Sequence, residues 1–255
     1  MSAVHELVVG AVAGVGCAGL GALMPRVVAR LPEPPAVPPL EEGEQPTAAQ
    51  QIVLDEGPKQ PYAEMASSAG FAGSIACSAG VSGALLGWAL GWDWTLLLVL
   101  PLAPVGAALG LVDLRSRLLP SRLILPTLAL ALVFALVAWP LTGSPDALVR
   151  GLIGMVAARS VFWLLWFIRS AGMGFGDVRL SALLGFVLAY LGWEQYAVGL
   201  YSPFLIFAVP GLVLALVRRD RSLLKRAYPF GPFLLVGAVI GVVVGEALLG
   251  GLISG

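Results

Sequence analysis

The chain has 255 residues, of which 58% are hydrophobic and 12% charged, and its 15 basic and 15 acidic side chains leave no net charge. That balance lies far outside the soluble range and predicts a membrane protein, with no bulk basicity to hold nucleic acid. His5 is the only histidine, which argues against a histidine-built metal centre and a Ser-His-Asp triad.

In chain order, apolar runs predict about eight transmembrane helices, at roughly 4–24, 69–91, 94–112, 122–141, 147–168, 178–193, 197–217 and 232–253. No basic residue precedes the first run, while Arg26 and Arg30 follow it. That is the reverse of a cleavable signal peptide and reads as a membrane anchor with its N-terminus outside. Loop 25–68 comes next, proline-rich at its start and acidic on balance, with Glu33, Glu41, Glu42, Glu44, Asp55, Glu56 and Glu64 against Arg26, Arg30 and Lys59. It has too little apolar content for a core of its own. Residues 1–68 are therefore read as anchor plus cytoplasmic loop, and residues 69–255 as a seven-helix core. Cys17 and Cys77, the only cysteines, fall in apolar runs and are expected to be two small buried hydrophobes.

Charge placement sets the expected topology. Loops 25–68, 113–122, 169–179 and 218–229 carry most of the lysines and arginines, whereas the turns near 92, 144 and 194 carry none, although Arg150 lies just inside the fifth run. By the positive-inside rule the basic loops face the cytoplasm and both termini face out. Trp88, Trp92, Trp94, Trp139 and Trp193 would then form an aromatic belt at the outer interface.

Two aspartates stand at the ends of apolar runs beside the basic loops. Asp113 opens Asp-Leu-Arg-Ser-Arg-Leu-Leu-Pro, and Asp177 closes Gly-Met-Gly-Phe-Gly-Asp at 172–177. Two crossings separate them, an even number, so both carboxylates return to the same face. Paired carboxylates suffice for peptide hydrolysis by an activated water, one accepting a proton while the other donates one. Carboxylates close to a bilayer are costly enough to be read as functional. Gly174 and Gly176 would let a backbone approach Asp177, though they also suit a plain connector, and an aspartate at a helix start also suits a plain cap. Asp113 would more ordinarily pair with Arg115 or Arg117. The dipole of each host helix favours a proton on Asp113, at a C-terminal end, and an anion on Asp177, at an N-terminal end. Glu246, inside the last run, is expected to pair with Arg150 or Arg159 or to lie near the outer interface.

At these residues the chain resembles the type IV prepilin peptidases, membrane aspartyl proteases with a Gly-x-Gly-Asp motif. Gly174-Phe175-Gly176-Asp177 followed by Val178-Arg179-Leu180 matches that motif, with arginine where lysine is commoner. Asp113 through Pro120 matches the first aspartate's basic stretch, and Pro229-Phe230-Gly231-Pro232-Phe233 matches a run before the last span. The resemblance implies Asp113 and Asp177 as the catalytic pair, with Gly174, Gly176, Arg179, Pro229, Gly231 and Pro232 as binding or structural motif residues. It implies a multi-pass enzyme of the bacterial-type cytoplasmic membrane, cutting basic leaders from prepilin or pseudopilin precursors on the cytoplasmic side without a cofactor. Many family members hold zinc on two Cys-x-x-Cys pairs in the first loop and methylate the new N-terminus. Loop 25–68 has no cysteine, which leaves no metal site there and puts methyl transfer in doubt. Two rival readings remain. One is a presenilin- or signal-peptide-peptidase-like intramembrane protease, disfavoured by arginine beside Asp113. The other is a proton- or cation-coupled transporter, disfavoured by the lack of midplane acids and internal repeats.

Overall fold

The computed structural model describes residues 3–33, 60–168, 174–218 and 229–253. Acidic residues 41–56, Lys59, Gly172 and the basic residues Arg169, Arg219, Arg221, Lys225 and Arg226 lie outside that set.

The described residues form helices and no strands: α1 Ala3–Val28, α2 Tyr62–Ser67, α3 Phe71–Leu90, α4 Leu96–Val99, α5 Leu102–Ser116, α6 Ser121–Thr142, α7 Asp146–Ile168, α8 Phe175–Leu191, α9 Trp193–Arg218 and α10 Gly231–Ile253. The chain is thus an all-α polytopic membrane protein. Among the described residues, six stretches are long and apolar enough to cross a bilayer: α1, α3, α4 with α5 (Leu96–Ser116), α6, α7 and α10. The expected spans 178–193 and 197–217 form α8 and α9, which are not among the six. Helix α8 has 17 residues, about 25 Å of rise, and is buried on all sides from Asp177 to Tyr190 except at the half-buried Arg179. It is a core helix, wrapped by α6, α7, α9 and α10.

Three antiparallel helix pairs make the bundle, and small residues seat each one. On α1, Gly10 and Gly14 face Ala84 of α3 and Gly21 faces Ala79 so closely that a Cβ at any of them would come within 2.9 Å of that neighbour. Gly154 of α7 meets Ala189 and Gly185 of α8, and Gly241 of α10 meets Gln195 and Gly199 of α9. In lipid, where burial of apolar surface gives helices no reason to associate, such close backbone contact supplies the dispersion energy that does. Arg150 of α7 adds a polar clamp, donating to the carbonyls of Ala189, Tyr190 and Leu191 at 2.5, 2.7 and 3.2 Å. A cation there satisfies acceptors that the end of α8 leaves open.

Two expectations need correction. Cys17 is buried, but Cys77 is exposed on α3. The end of loop 25–68 is also less inert than its composition suggests. Residues Tyr62–Ser67 fold into α2, whose Tyr62 and Met65 are buried against Met24, Val28, Phe71 and Ile75. Glu33 caps that helix, accepting the Tyr62 and Ala63 N–H groups at 2.8 and 3.1 Å. The segment has no core of its own and borrows one from α1 and α3.

Candidate active site

Asp113 lies in the last turn of α5, which Arg117 closes in a left-handed conformation (φ 52°), its N–H donating to the Asp113 carbonyl at 2.8 Å. The Asp113 side chain turns inward and is 4% exposed. Its Oδ2 accepts the backbone N–H of Gly231, at the start of α10, at 3.1 Å. Gly231 has to be glycine for this to happen, because a Cβ there would sit 2.7 Å from Oδ2. Phe230, one residue earlier, is buried in an aromatic cluster with Phe162, Phe204, Phe207 and Phe233, which anchors the start of α10. The Pro229–Pro232 run is therefore both the rigid helix start its residues suggest and the source of a donor to Asp113.

Asp177 is the third residue of α8 and is 5% exposed. Its Oδ2 accepts the Gly174 N–H at 3.1 Å, and its own N–H donates to the Gly174 carbonyl at the same distance. The plain-cap reading is thus true as far as one oxygen goes. The other, Oδ1, is buried and has no partner among the described residues. A cap needs one oxygen, and an orphaned buried acceptor costs on the order of 1–3 kcal/mol, so a proton or a reacting molecule is the natural occupant of that position.

Leu119 joins the two sides. Its side chain lies against both Gly176 and Gly231, so a Cβ at Gly176 would come within 2.6 Å of the Leu119 Cβ and one at Gly231 within 3.1 Å of Leu119 Cδ1. Arg179 braces the same end from α8: its guanidinium stacks over Phe175, 4.8 Å from the ring centroid, and donates to Ser121 Oγ at the start of α6. Sequence reading had no assignment for Leu119, Ser121 or Phe175. Leu119, inside the matched Asp113–Pro120 stretch, and Phe175, inside the matched Gly174–Asp177 motif, are the two that a sequence signal could have found.

Asp177 precedes the expected span 178–193 and lies outside the six span-length segments. Burial, and then the charge of Asp113, push its carboxyl up to about 7, with the Gly174 N–H pulling the other way. The expectation that Asp113 bears the proton counted only the dipole of each aspartate's own helix. The fold adds the N-terminus of α10 against Asp113, a contact that suits a carboxylate, and buries Asp177. Both features favour the proton of a singly protonated pair on Asp177. Arg115 takes no part, since it donates to Ser68 Oγ at 2.5 Å and lies over the Phe71 ring. Glu246 is exposed on α10, and Arg150 spends its guanidinium on the end of α8.

Comparison with known proteins agrees with this geometry. Residues 100–253, from just before α5 to the end of α10, match the model of the type IV leader peptidase family. A protein of Burkholderia pseudomallei (strain 1026b) named prepilin leader peptidase/N-methyltransferase is 36% identical over 202 residues, 76% of this chain and 59% of that one. A protein of Pseudomonas putida with the same name is 34% identical over 167 residues, 64% of this chain and 55% of that one. The chain thus spans little more than half the length of these curated relatives. No solved structure matches it. The family match contains both buried aspartates and every helix that positions them, and the chain belongs to the type IV leader peptidase family.

Proposed function

We propose that this protein is a membrane aspartyl endopeptidase that removes basic leaders from prepilin or pseudopilin precursors at the cytoplasmic face of a bacterial-type inner membrane. The observation that carries the reading is the pair of buried carboxylates, delivered by the end of α5 and the start of α8, of which one senses the charge of the other. In the reaction, Asp113 as carboxylate takes a proton from water as the water oxygen attacks the scissile carbonyl carbon. Asp177, protonated, donates to the carbonyl oxygen as negative charge develops there. Collapse of the tetrahedral species then returns that proton to Asp177 while Asp113 passes its proton to the leaving amine. Gly174, Gly176, Arg179, Pro229, Gly231 and Pro232 serve to hold the pair in position. Methyl transfer is no part of the proposal, because loop 25–68 carries no cysteine.

The two rival readings gain nothing from the site. An intramembrane protease or a proton-coupled transporter would hold its acids deep in the bilayer, and here both acids lie in terminal turns of their helices. Co-expression with a prepilin precursor tests the proposal. The precursor should shift to its mature size with the wild-type chain and stay full length with Asp113→Asn. A precursor untouched by the wild type, across several pilin types, would sink the reading.

A further inference from the structure

The connection between α5 and α6 is short and its backbone is constrained at both ends. Arg117 takes a left-handed conformation (φ 52°) at the end of α5, and Pro120 caps the start of α6 at a φ of −68°. Leu119, directly before the proline, is kept by the proline ring in extended backbone angles. The direction of its side chain is thereby set from both sides, and it runs across the candidate site.

Two contacts fix where that side chain lies. A Cβ on Gly176, the residue before Asp177, would come 2.6 Å from Leu119 Cβ and 3.4 Å from Leu119 Cδ1. A Cβ on Gly231, whose N–H holds Asp113 Oδ2, would come 2.7 Å from that oxygen and 3.1 Å from Leu119 Cδ1. The leucine therefore reaches from the flank of one aspartate to the flank of the other, over two residues that bring no side chain to fill the space. Both aspartates are almost fully buried, whereas Leu119 is half-buried. An apolar side chain with one face on the glycines and another outward stands between the acids and the solvent.

We infer that Leu119 is a positioning residue of this site: it closes the gap between the starts of α8 and α10, holds the two carboxyls at one spacing and keeps bulk water off them. The inference rests on the peptidase reading and adds to it a residue that carries no proton. Water exclusion matters because the pair works by sharing one proton between two acids. In a dry site the burial of Asp177 and the charge of Asp113 both act at full strength, and both favour the protonated Asp177. Asp113 of α5 is the charge that bears on Asp177. Around them, Arg179 of α8 turns to Phe175 and Ser121, Arg122 of α6 is exposed, and Arg218 ends α9. The last turns of α7 and the first turns of α10 carry no titratable group. With water admitted, burial weakens first, and Asp177 gives up its proton at lower pH.

The test uses the full chain in lipid vesicles, a prepilin precursor, and isotope-edited infrared on labelled aspartates. Leu119→Ala and Leu119→Asn, the second close to leucine in shape but polar, should each lower kcat ~10–10²-fold with KM within a few-fold. In both, the alkaline limit of activity and the titration of Asp177, about 7 in the wild type, should move to lower pH. Leu119→Met, which keeps the apolar volume, should restore both to near wild type. Leu98→Ala, buried at the far end of the Leu96–Ser116 span, should also lose stability but leave the titration in place. If Leu119→Ala does not fold, Leu119→Val takes its place, with the same shift at smaller amplitude. The proposal falls if Asp177 titrates as in the wild type once the leucine is gone, even where kcat drops, because that marks a packing role alone. It falls equally if Leu98→Ala moves the titration as far, or if methionine serves no better than asparagine. Failure of the peptidase reading looks different: the wild type would leave the precursor intact, while the infrared comparison still decides the role of Leu119.

Discussion

The end of α5 and the start of α8 each hold one buried aspartate, and they hold it in different ways. The bond to Asp177 spans three residues, Gly174 to Asp177, and belongs to the turn that starts its own helix. The bond to Asp113 spans 118 residues and exists only when α10 has docked. One carboxylate is positioned by local structure and the other by tertiary structure. The proposed pair is therefore completed by the packing of Phe230 and Phe233 against Phe162, Phe204 and Phe207, which anchors the start of α10 beside Asp113. A site built this way is complete only in the folded bundle.

The largest effect should come from removing either acid, which ends the comparison by deleting one side. Asp113→Asn and Asp177→Asn should each lower cleavage by ~10²–10⁴-fold or more, since an amide can neither take nor give the proton. The double variant should be no worse than the poorer single one, because the pair acts as a unit. Cleavage assays on purified, inserted protein check both points.

Next in size is the glycine that admits the long-range bond. Gly231→Ala puts a Cβ 2.7 Å from Asp113 Oδ2, so the carboxylate or the start of α10 must move. A shift of about an ångström at reacting groups costs on the order of 10²-fold in rate. Gly174→Ala, on the locally held side, puts its Cβ at an ordinary 3.6 Å from Asp177 Oδ2 and keeps the N–H, at a φ of −73° that alanine accepts. It should cost no more than a few-fold. Equal losses at the two glycines would erase the distinction between the two regions.

The pH dependence is a finer probe of the same contrast. Asp177 is pushed up to about 7, so it loses its proton, and the pair its acid, as pH rises past that value. Activity should fall on the alkaline side. The folded carboxyl also binds its proton more tightly than the unfolded one, whose ordinary value is 3.8. Stability should accordingly decline as pH rises from about 4 to about 7 and then level off. Isotope-edited infrared on labelled aspartates reads Asp177 directly. In Asp113→Asn its titration should move to lower pH, because the neighbouring charge is gone while burial remains. An unmoved titration would mean that the two carboxylates do not sense each other.

Much of this arrangement was legible in the chain. The apolar runs located the helices, and the crossing count put Asp113 and Asp177 at one end, because two span-length helices, α6 and α7, lie between them. Glycine at 176 marked a place where something must come close, while Gly174 has room for a Cβ and the close approach at Gly231 goes beyond the rigid turn its residues suggest. Hydrophobicity alone was silent on which helix is central. A segment apolar on every face reads the same against lipid as against protein, and only the packed structure separates the buried α8 from the exposed α6. The preference for a proton on Asp113 is opposed by the fold for a related reason. The sequence shows each aspartate on its own helix, but the N-terminus of α10 meets Asp113 from across the fold. Helix α2 was missed because its buried residues, Tyr62 and Met65, are too few to form a pattern and find their core in other helices.

The smallest expected effect concerns Arg115, one of the two arginines, with Arg117, that the sequence offers as partners of Asp113. Two residues apart on a helix, the side chains point to different faces, and the structure follows that rule. Asp113 turns into the bundle, while Arg115 is exposed, donates to Ser68 and covers the Phe71 ring at 4.8 Å. Its role is to hold the Ser68 turn after α2 against the start of α3. Arg115→Met keeps most of the apolar stem over Phe71 and loses the cation–π contact and the hydrogen bond. At an exposed site the cation–π contact contributes ~0.5–1 kcal/mol. Thermal unfolding should register that loss, and cleavage should stay within about twofold of wild type. A fall in cleavage comparable to that of Gly231→Ala would mean that Asp113 depends on its own basic stretch after all, and that the Gly231 bond is secondary.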